Sequence, residues 1–291
     1  MTRLTEEMLQ AINLKELDSE AQRKTGKSIR QLAAEVAGLS EPLPARQQKL
    51  FAVVPVSVGQ GVINGFAEKV AEVLAFLGLT VKRSTQPDVA GLSEAALAGA
   101  EIVFMADDNK FIALNLKKGT CVDNASATAE MYVHVVSLMA KGMPAKKTLL
   151  IGLGNVGDEC LKACLRRGAN LWVYDQSAER TRQKAEQYGV APVRNLMQVC
   201  AEAEIIIDAS PAREVIRETW LSDGVIVGAP GIPLGLQVPG HSSLQDRMIH
   251  DCLALGVAGM VAMSLAPGLT TITEENKLTN SEEGDLRCKE V

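Results

Sequence analysis

Two stretches of the chain combine residue types and spacing that could do chemistry. The first is Ile151-Gly152-Leu153-Gly154-Asn155-Val156-Gly157, a G-x-G-x-x-G run with an apolar segment before it and a helix-forming segment after it. The next apolar segment, "LWVYD", closes on Asp175. In that context the glycines have separate tasks. Gly152 permits a tight turn, Gly154 lets the backbone approach a pyrophosphate, and Gly157 lets helix pack on strand. Asn155 and Val156 open the helix, whose free N–H groups suit the phosphates. Asp175 would accept the adenosine ribose hydroxyls and repel a 2′-phosphate. NAD is therefore favoured over NADP, with Arg180 nearby as the residue that works against this preference.

The second stretch is "EIVFMADDNKF". Four apolar residues, Ile102 to Met105, run into Asp107, Asp108 and Asn109. A continuous apolar run fits a strand covered on both faces. Two adjacent carboxylates at its end form either a polar turn or the edge of a site that receives a cation. Neighbours at a strand end point opposite ways, so the pattern leaves open which of Asp107 and Asp108 faces such a site.

Other loops fall where open α/β sheets bind ligands, beyond the carboxyl ends of strands. Ser210 and Pro211 in "DASPAR" (208–213), and Ala229, Pro230 and Gly231 in "VGAPGIPLG" (227–235), are expected on the cofactor side. In "VVPVSVGQGVINGF" (53–66), Ser57, Gly59, Gln60 and Gly61 lie between a strand and a helix, an arrangement suited to an anion such as a carboxylate. "CVDNASAT" (121–128) brings Asp123, Asn124 and Ser126 to the start of a long helix, where Asn124 and Ser126 are equally candidates for capping it. These loops offer acids, amides and hydroxyls but few cations, which suits a substrate bearing ammonium groups.

The elements that must position these residues follow from periodicity. Residues 1–45 read as amphipathic helices, 46–125 as an α/β lobe, 126–144 as a linking helix, and 145–266 as a Rossmann-type NAD-binding domain; the acidic residues 267–291 read as a disordered tail. The fold class expected is α/β in two lobes, with N-terminal helices and mostly parallel sheets. Bulk properties exclude other roles. A net charge of -5 and 3% aromatic content argue against a nucleic-acid partner. No apolar run reaches the roughly 18 residues of a membrane span, so the protein is expected to be soluble and cytoplasmic. Six cysteines without a CxxC pair point to reduced thiols. Cys160 and Cys164 lack the further ligands of a zinc site, so no metal is expected. His134, in an apolar helical run, reads as a core or interface residue.

Taken together, "VPVSVGQGVINGF", "QPDVAGL", "MADDNKFIALNLKKG", "IGLGNVG", "VYD" and "APGIPLG" resemble, in order and spacing, the dehydrogenases that complete pyrrolysine biosynthesis. The resemblance spans residues 4 to 265. It implies NAD-dependent oxidation of the terminal amine of 3-methylornithyl-lysine, a lysine–ornithine conjugate, to an aldehyde equivalent that closes into the pyrroline ring. It further implies that Asp107 or Asp108 holds an amino group, helped by Asn124 and by Ser57 or the backbone from Gly59 to Gly61. Leu4 and its neighbours would form an apolar lid. Val58 stands where the family pattern has a hydroxyl residue. The readings that compete are another NAD-dependent amino-acid dehydrogenase or cyclodeaminase, and an NAD-sensing regulatory protein without chemistry. The oligomeric state, a homodimer or otherwise, is left open.

Overall fold

Capping chemistry starts each N-terminal helix. In the computed structural model, which describes residues 4–43, 49–61, 63–237 and 243–267, these helices are α1 (Glu6–Gln10), α2 (Leu14–Thr25) and α3 (Ile29–Val36). Thr5, Asn13 and Ser28 accept backbone N–H bonds from Met8, Glu16 and Gln31. Ser28 and Gln31 form a reciprocal capping box. The apolar stripes, including Leu9, Leu17, Ile29 and Leu32, are buried in the main core.

The first lobe contains β1 (Leu50–Val54), α4 (Phe66–Phe76), β2 (Thr80–Arg83), α5 (Asp88–Leu97), β3 (Ala100–Ala106), β4 (Phe111–Asn115) and β5 (Thr120–Asp123). Its sheet has the order β2-β1-β3-β4-β5. The pairs β1–β2 and β1–β3 are parallel, whereas β3–β4 and β4–β5 are antiparallel. The expectation of mostly parallel sheets therefore needs correction in this lobe. Residues 107–110 turn too tightly for a helical crossover, so β4 returns beside β3 as a hairpin. Ile102, Val103 and Phe104 are fully buried, as a strand covered on both faces should be.

Helix α6 (Asn124–Met139) leads into the second lobe. Its N-cap is Asp123, whose Oδ1 accepts the Ala125 N–H at 2.8 Å. Neither Asn124 nor Ser126 serves as the cap, and Asn124 is the first helical residue. The second lobe then alternates β6 (Lys147–Ile151), α7 (Asn155–Arg166), β7 (Asn170–Tyr174), α8 (Ala178–Tyr188), β8 (Ala191–Pro192), α9 (Leu196–Glu202) and β9 (Ile205–Asp208). After β9 come β10 (Ile216–Arg217), β11 (Ile226–Ala229), β12 (Leu236–Gln237) and β13 (Met248–His250). The main sheet runs β13-β11-β9-β6-β7-β8, all parallel. This is the doubly wound order of dinucleotide-binding folds, with its switch point between β6 and β9.

The last described helix, α10 (Ala254–Leu265), is apolar on every side and almost wholly buried, as such a helix must be. It packs not on the second sheet but on α6, α3, α4, β4 and β5. Two first-lobe side chains grip its end. Asn115 Nδ2 donates to the Ser264 carbonyl at 3.0 Å, and Lys118 Nζ donates to the Leu265 and Ala266 carbonyls at 2.8 Å. The chain thus crosses between the lobes at the end of α6 and again before α10. The N-terminal helices also span the lobes: the Lys24 ammonium on α2 donates to the carbonyls of Gln245 and Met248 beside β13. Beyond Pro267, residues 268–291 lie outside the described residues, as do residues 44–48 and 238–242.

Candidate active site

The G-x-G-x-x-G turn joins β6 to α7, and its glycines are demanded by neighbouring backbone. Gly152 has φ 84°, and a Cβ there would come within 2.7–2.8 Å of the Ala209–Ser210 backbone. A Cβ on Gly157 would collide with the Gly152 carbonyl. Nothing lies within 4 Å of the Cβ position at Gly154, the N-cap of α7, and no side chain caps that helix. Exposed backbone and free N–H groups at a helix start fit a pyrophosphate. The neighbouring loops lock onto this turn: Ala209 N–H donates to Ile151 at 2.8 Å and Gly231 N–H to the Asp208 carbonyl at 2.8 Å.

Asp175, at the end of β7, lies over the turn. Its Oδ2 accepts the Leu153 N–H and its Oδ1 the Ser177 N–H, both at 2.8 Å. Arg180 Nη1 approaches both oxygens at 3.3 Å. The acid and the guanidinium are therefore held together as one unit beside the turn. The turn's carboxylate, glycines and open helix start form a set of donors and acceptors that a nicotinamide dinucleotide would fit.

A cavity opens from this turn into the first lobe. Val156, Ala209, Pro211, Pro230 and Gly231 line its second-lobe side, while Leu4, Phe66, Phe104 and Phe111 form an apolar wall opposite. Leu4, two residues before α1, is buried where it lines the cavity. Asp107, Asp108, Val58 and Asn124 also reach the cavity. Ser210 does not line it, nor do Ser57, Gly59 and Asn109. Ser210 is turned back, its Oγ donating to Asp208 Oδ1 at 2.6 Å. The Ser57 hydroxyl donates to Asp88, and Asn109 is exposed on the β3–β4 turn.

The adjacent carboxylates Asp107 and Asp108 have different surroundings. Asp107 Oδ1 accepts the N–H groups of Lys110 and Asn109, both at 2.7 Å. Those bonds, Lys110 first, hold its carboxyl below the usual range. Asp107 is exposed and closes the hairpin. Asp108 is half-buried, and its Oδ2 accepts the Gln60 N–H at 2.7 Å. It thereby ties the β3–β4 turn to the loop after β1.

Sequence reasoning missed the cavity's floor, made by Thr128, Tyr132, Asp251, Cys252 and Gly256. Asp251 follows β13, whose His250 pairs in register with Ala229, and so lies beside the Pro230–Gly231 loop. Its Oδ2 accepts the Leu255 N–H at 2.8 Å and the Leu253 N–H at 3.1 Å, capping α10. The Tyr132 hydroxyl donates to the Asp251 carbonyl and accepts the Asp251 N–H, each at 2.6 Å. The backbone of this residue is therefore pinned. Burial pushes its carboxyl above the usual range, against the opposing pull of the Leu255 and Leu253 N–H groups. Burial also pushes the Cys252 thiol up to about 12, so it stays protonated. The signal for Asp251 was its place at the end of a strand, but β13 is too short to read by alternation.

Gly256 brings α10 close to α6. A Cβ there would lie 2.5 Å from Thr128 Oγ1 and 2.7 Å from Asn124 Nδ2. Gly256→Ala is expected to destabilise the fold by about 1–3 kcal/mol, the range for overpacking a close contact. It should also raise the substrate KM, because both displaced side chains line the cavity; thermal melts and steady-state kinetics check the two effects.

Other groups are structural. His134 Nε2 meets Glu35 Oε2 at 2.9 Å between α6 and α3, an interface position. Cys160 and Cys164 are buried and unpaired. Among the described residues no group of three or more His, Cys, Asp or Glu side chains is placed to hold a metal, and no helix is long and apolar enough to cross a membrane.

A doubly wound nucleotide lobe, a second α/β lobe and a cavity between them define a two-lobed nicotinamide-dependent dehydrogenase. Comparisons refine this class. Residues 6–122 match the family described as pyrrolysine biosynthesis protein PylD, N-terminal domain. Residues 147–231 match the NAD binding domain of 6-phosphogluconate dehydrogenase. The pyrrolysine synthase of Methanosarcina acetivorans is 30% identical over 263 residues, 90% of this chain and 98% of that protein. The pyrrolysine synthase of Methanosarcina barkeri is 28% identical over 90% of this chain and 97% of its own length. The chain belongs to the pyrrolysine synthase family. In fold it is similar to the shikimate 5-dehydrogenase of Thermus thermophilus, solved with NADP(H) and shikimate, at a TM-score of 0.52 and 16% identity over 77% of this chain and 95% of the other.

Proposed function

We propose that the protein oxidises the terminal amine of 3-methylornithyl-lysine with NAD, giving an iminium or aldehyde that cyclises to pyrrolysine. The observation that carries this reading is the cavity: an apolar wall, no lining Lys or Arg among the described residues, and Asp107, Asp108 and Asp251 in its lining. Such a site recognises a flexible, doubly cationic chain. Membership of the pyrrolysine synthase family supports the same substrate.

An ammonium carbon cannot release hydride, so the amine must first lose a proton. We assign that step to Asp251, which lines the cavity and follows β13 beside the Pro230–Gly231 loop; a raised carboxyl range suits a base. When bound, the nicotinamide supplies the acceptor for the hydride that leaves the amine-bearing carbon, so that the substrate becomes an iminium. Water adds to that iminium carbon and ammonia leaves. The resulting aldehyde condenses with the α-amine, expelling water and forming the ring. Asp108 and Asn124 orient the amino groups, and Leu4 with the aromatic wall limits access of bulk water.

The test is NADH formation at 340 nm with 3-methylornithyl-lysine, compared with ornithine and lysine alone. Turnover only with the conjugate supports the reading. Turnover of ornithine or lysine instead would assign a simpler amino-acid dehydrogenase, and NAD binding without any turnover would leave a sensor.

Preference for NAD rests on Asp175, while Arg180 stands ready to pair with a 2′-phosphate. Asp175→Ala is expected to lower the NAD-to-NADP ratio of kcat/KM by about 10-fold or more, since it removes a charge repulsion and frees the guanidinium. Measuring kcat/KM with each cofactor checks it.

A further inference from the structure

The loop between β1 and α4 supplies one wall of the cavity through Pro55, Val56, Val58 and Gly61. Packing does not hold its tip: Ser57 to Gln60 are exposed, and Val58 is 66% exposed. We propose that Asp88 is a positioning residue for the reaction, clamping this wall from behind through Ser57. The proposal rests on reading the cavity as the amine site.

Both carboxylate oxygens of Asp88 are committed to one residue. Ser57 N–H donates to Oδ1 at 2.8 Å and the Ser57 hydroxyl donates to Oδ2. The Asp88 N–H itself donates to the Pro55 carbonyl at 2.9 Å. Asp88 thus grips the loop at two points flanking Val56. On the other side of Val58, Asp108 Oδ2 takes the Gln60 N–H. The wall is held between two carboxylates, one on each side of its tip.

A simpler role, an acid at a helix start complementing the dipole, does not account for this geometry. The N-cap of α5 is Pro87, which makes no side-chain cap bond, and the Asp88 side chain turns to Ser57. Asp88 also has φ 54°, the left-handed region that costs most residues energy and that Asp and Asn tolerate best. An unfavourable backbone geometry is retained where it aims the carboxylate at the loop.

Three variants separate the clamp from the backbone geometry. Asp88→Asn keeps an acceptor for the Ser57 N–H and tolerates the left-handed region. Asp88→Gly relaxes the backbone but removes the clamp, and Asp88→Ala removes both. With 3-methylornithyl-lysine as substrate, Gly and Ala are expected to raise KM about five-fold or more while kcat and the KM for NAD stay within about two-fold; Asn should stay near wild type. Hydrogen exchange of residues 55–61, measured without substrate, should accelerate in Gly and Ala but not in Asn. If Gly matches wild type in KM and exchange, the residue serves only backbone geometry and the proposal is overturned. Unchanged exchange in both Gly and Ala overturns it too, even if wild type fails to oxidise the conjugate; that failure, seen in the activity assay alone, would instead overturn the functional reading.

Discussion

Asp251→Asn is expected to lower kcat by about 10²- to 10⁴-fold, the span typical of losing a general base, while leaving NAD affinity unchanged. The amide cannot take the substrate's proton, yet its oxygen can still accept the Leu253 and Leu255 N–H groups that cap α10. Fold and cap should therefore survive, which makes kcat the informative quantity. Single-turnover measurements at saturating substrate would isolate it. The pH profile gives a second readout. Burial holds the Asp251 carboxyl above its ordinary range, so the acidic limb of kcat/KM should lie above the roughly 3.9 of a free aspartate. The limb should flatten in the Asn variant. The sign for stability is opposite to that of a salt-bridged acid. The folded state holds this proton more tightly than the unfolded chain, so Asp251 favours folding below the unfolded value. That contribution is lost as pH rises through the raised folded value. A kcat within about two-fold of wild type would remove Asp251 from the chemistry.

Gly157→Ala is expected to abolish measurable NAD binding and to destabilise the second lobe by about 1–3 kcal/mol or more, because overpacking forces backbone to move. The added methyl would collide with the Gly152 carbonyl. Gly152 in turn sits against the Ala209–Ser210 backbone, so relief of one clash drives another. The distortion then reaches three loops at once: the phosphate turn, the loop after β9 and, through Gly231, the loop after β11. Isothermal titration with NAD and a thermal melt separate lost affinity from lost fold. Gly154→Ala provides the control. Its Cβ meets no protein atom within 4 Å, so it should fold normally and lose affinity only through contact with the dinucleotide.

The contrast between those glycines shows what was legible in the sequence. Fingerprint glycines and Asp175 stand out because tight turns admit few residue types, and the strand-helix alternation of residues 147–229 follows from strict periodicity. The β4–β5 hairpin did not announce itself. "FIALN" lacks polar alternation because Ile112 and Leu114 are apolar as well as Phe111 and Ala113. The cap of α6 is ambiguous in the sequence for a local reason: Asp123, Asn124 and Ser126 are all good cap residues, and only the end of β5 at Asp123 selects the first. Long-range assembly was the least accessible. Nothing local in "LGVAGMVAMSLA" says that this helix leaves its own lobe, and nothing local in "IHDC" says that Asp251 meets Tyr132 on the cavity floor. "MADDN" was half legible. Its two acids are now distinct, Asp107 spent on a turn and Asp108 bridging to the loop after β1.

The path of α10 back to the first lobe has a mechanical consequence. Two bodies joined by one strand of chain can swivel freely, but two crossings leave one easy motion, rotation about the line through both. One of those crossings is the Asp251 segment itself. Asp251, the base proposed above, therefore sits on the axle, where any such rotation would displace it least. The lining residues contributed by the loops after β1 and β3 lie on other segments than this crossing, so the same rotation would shift them more than Asp251.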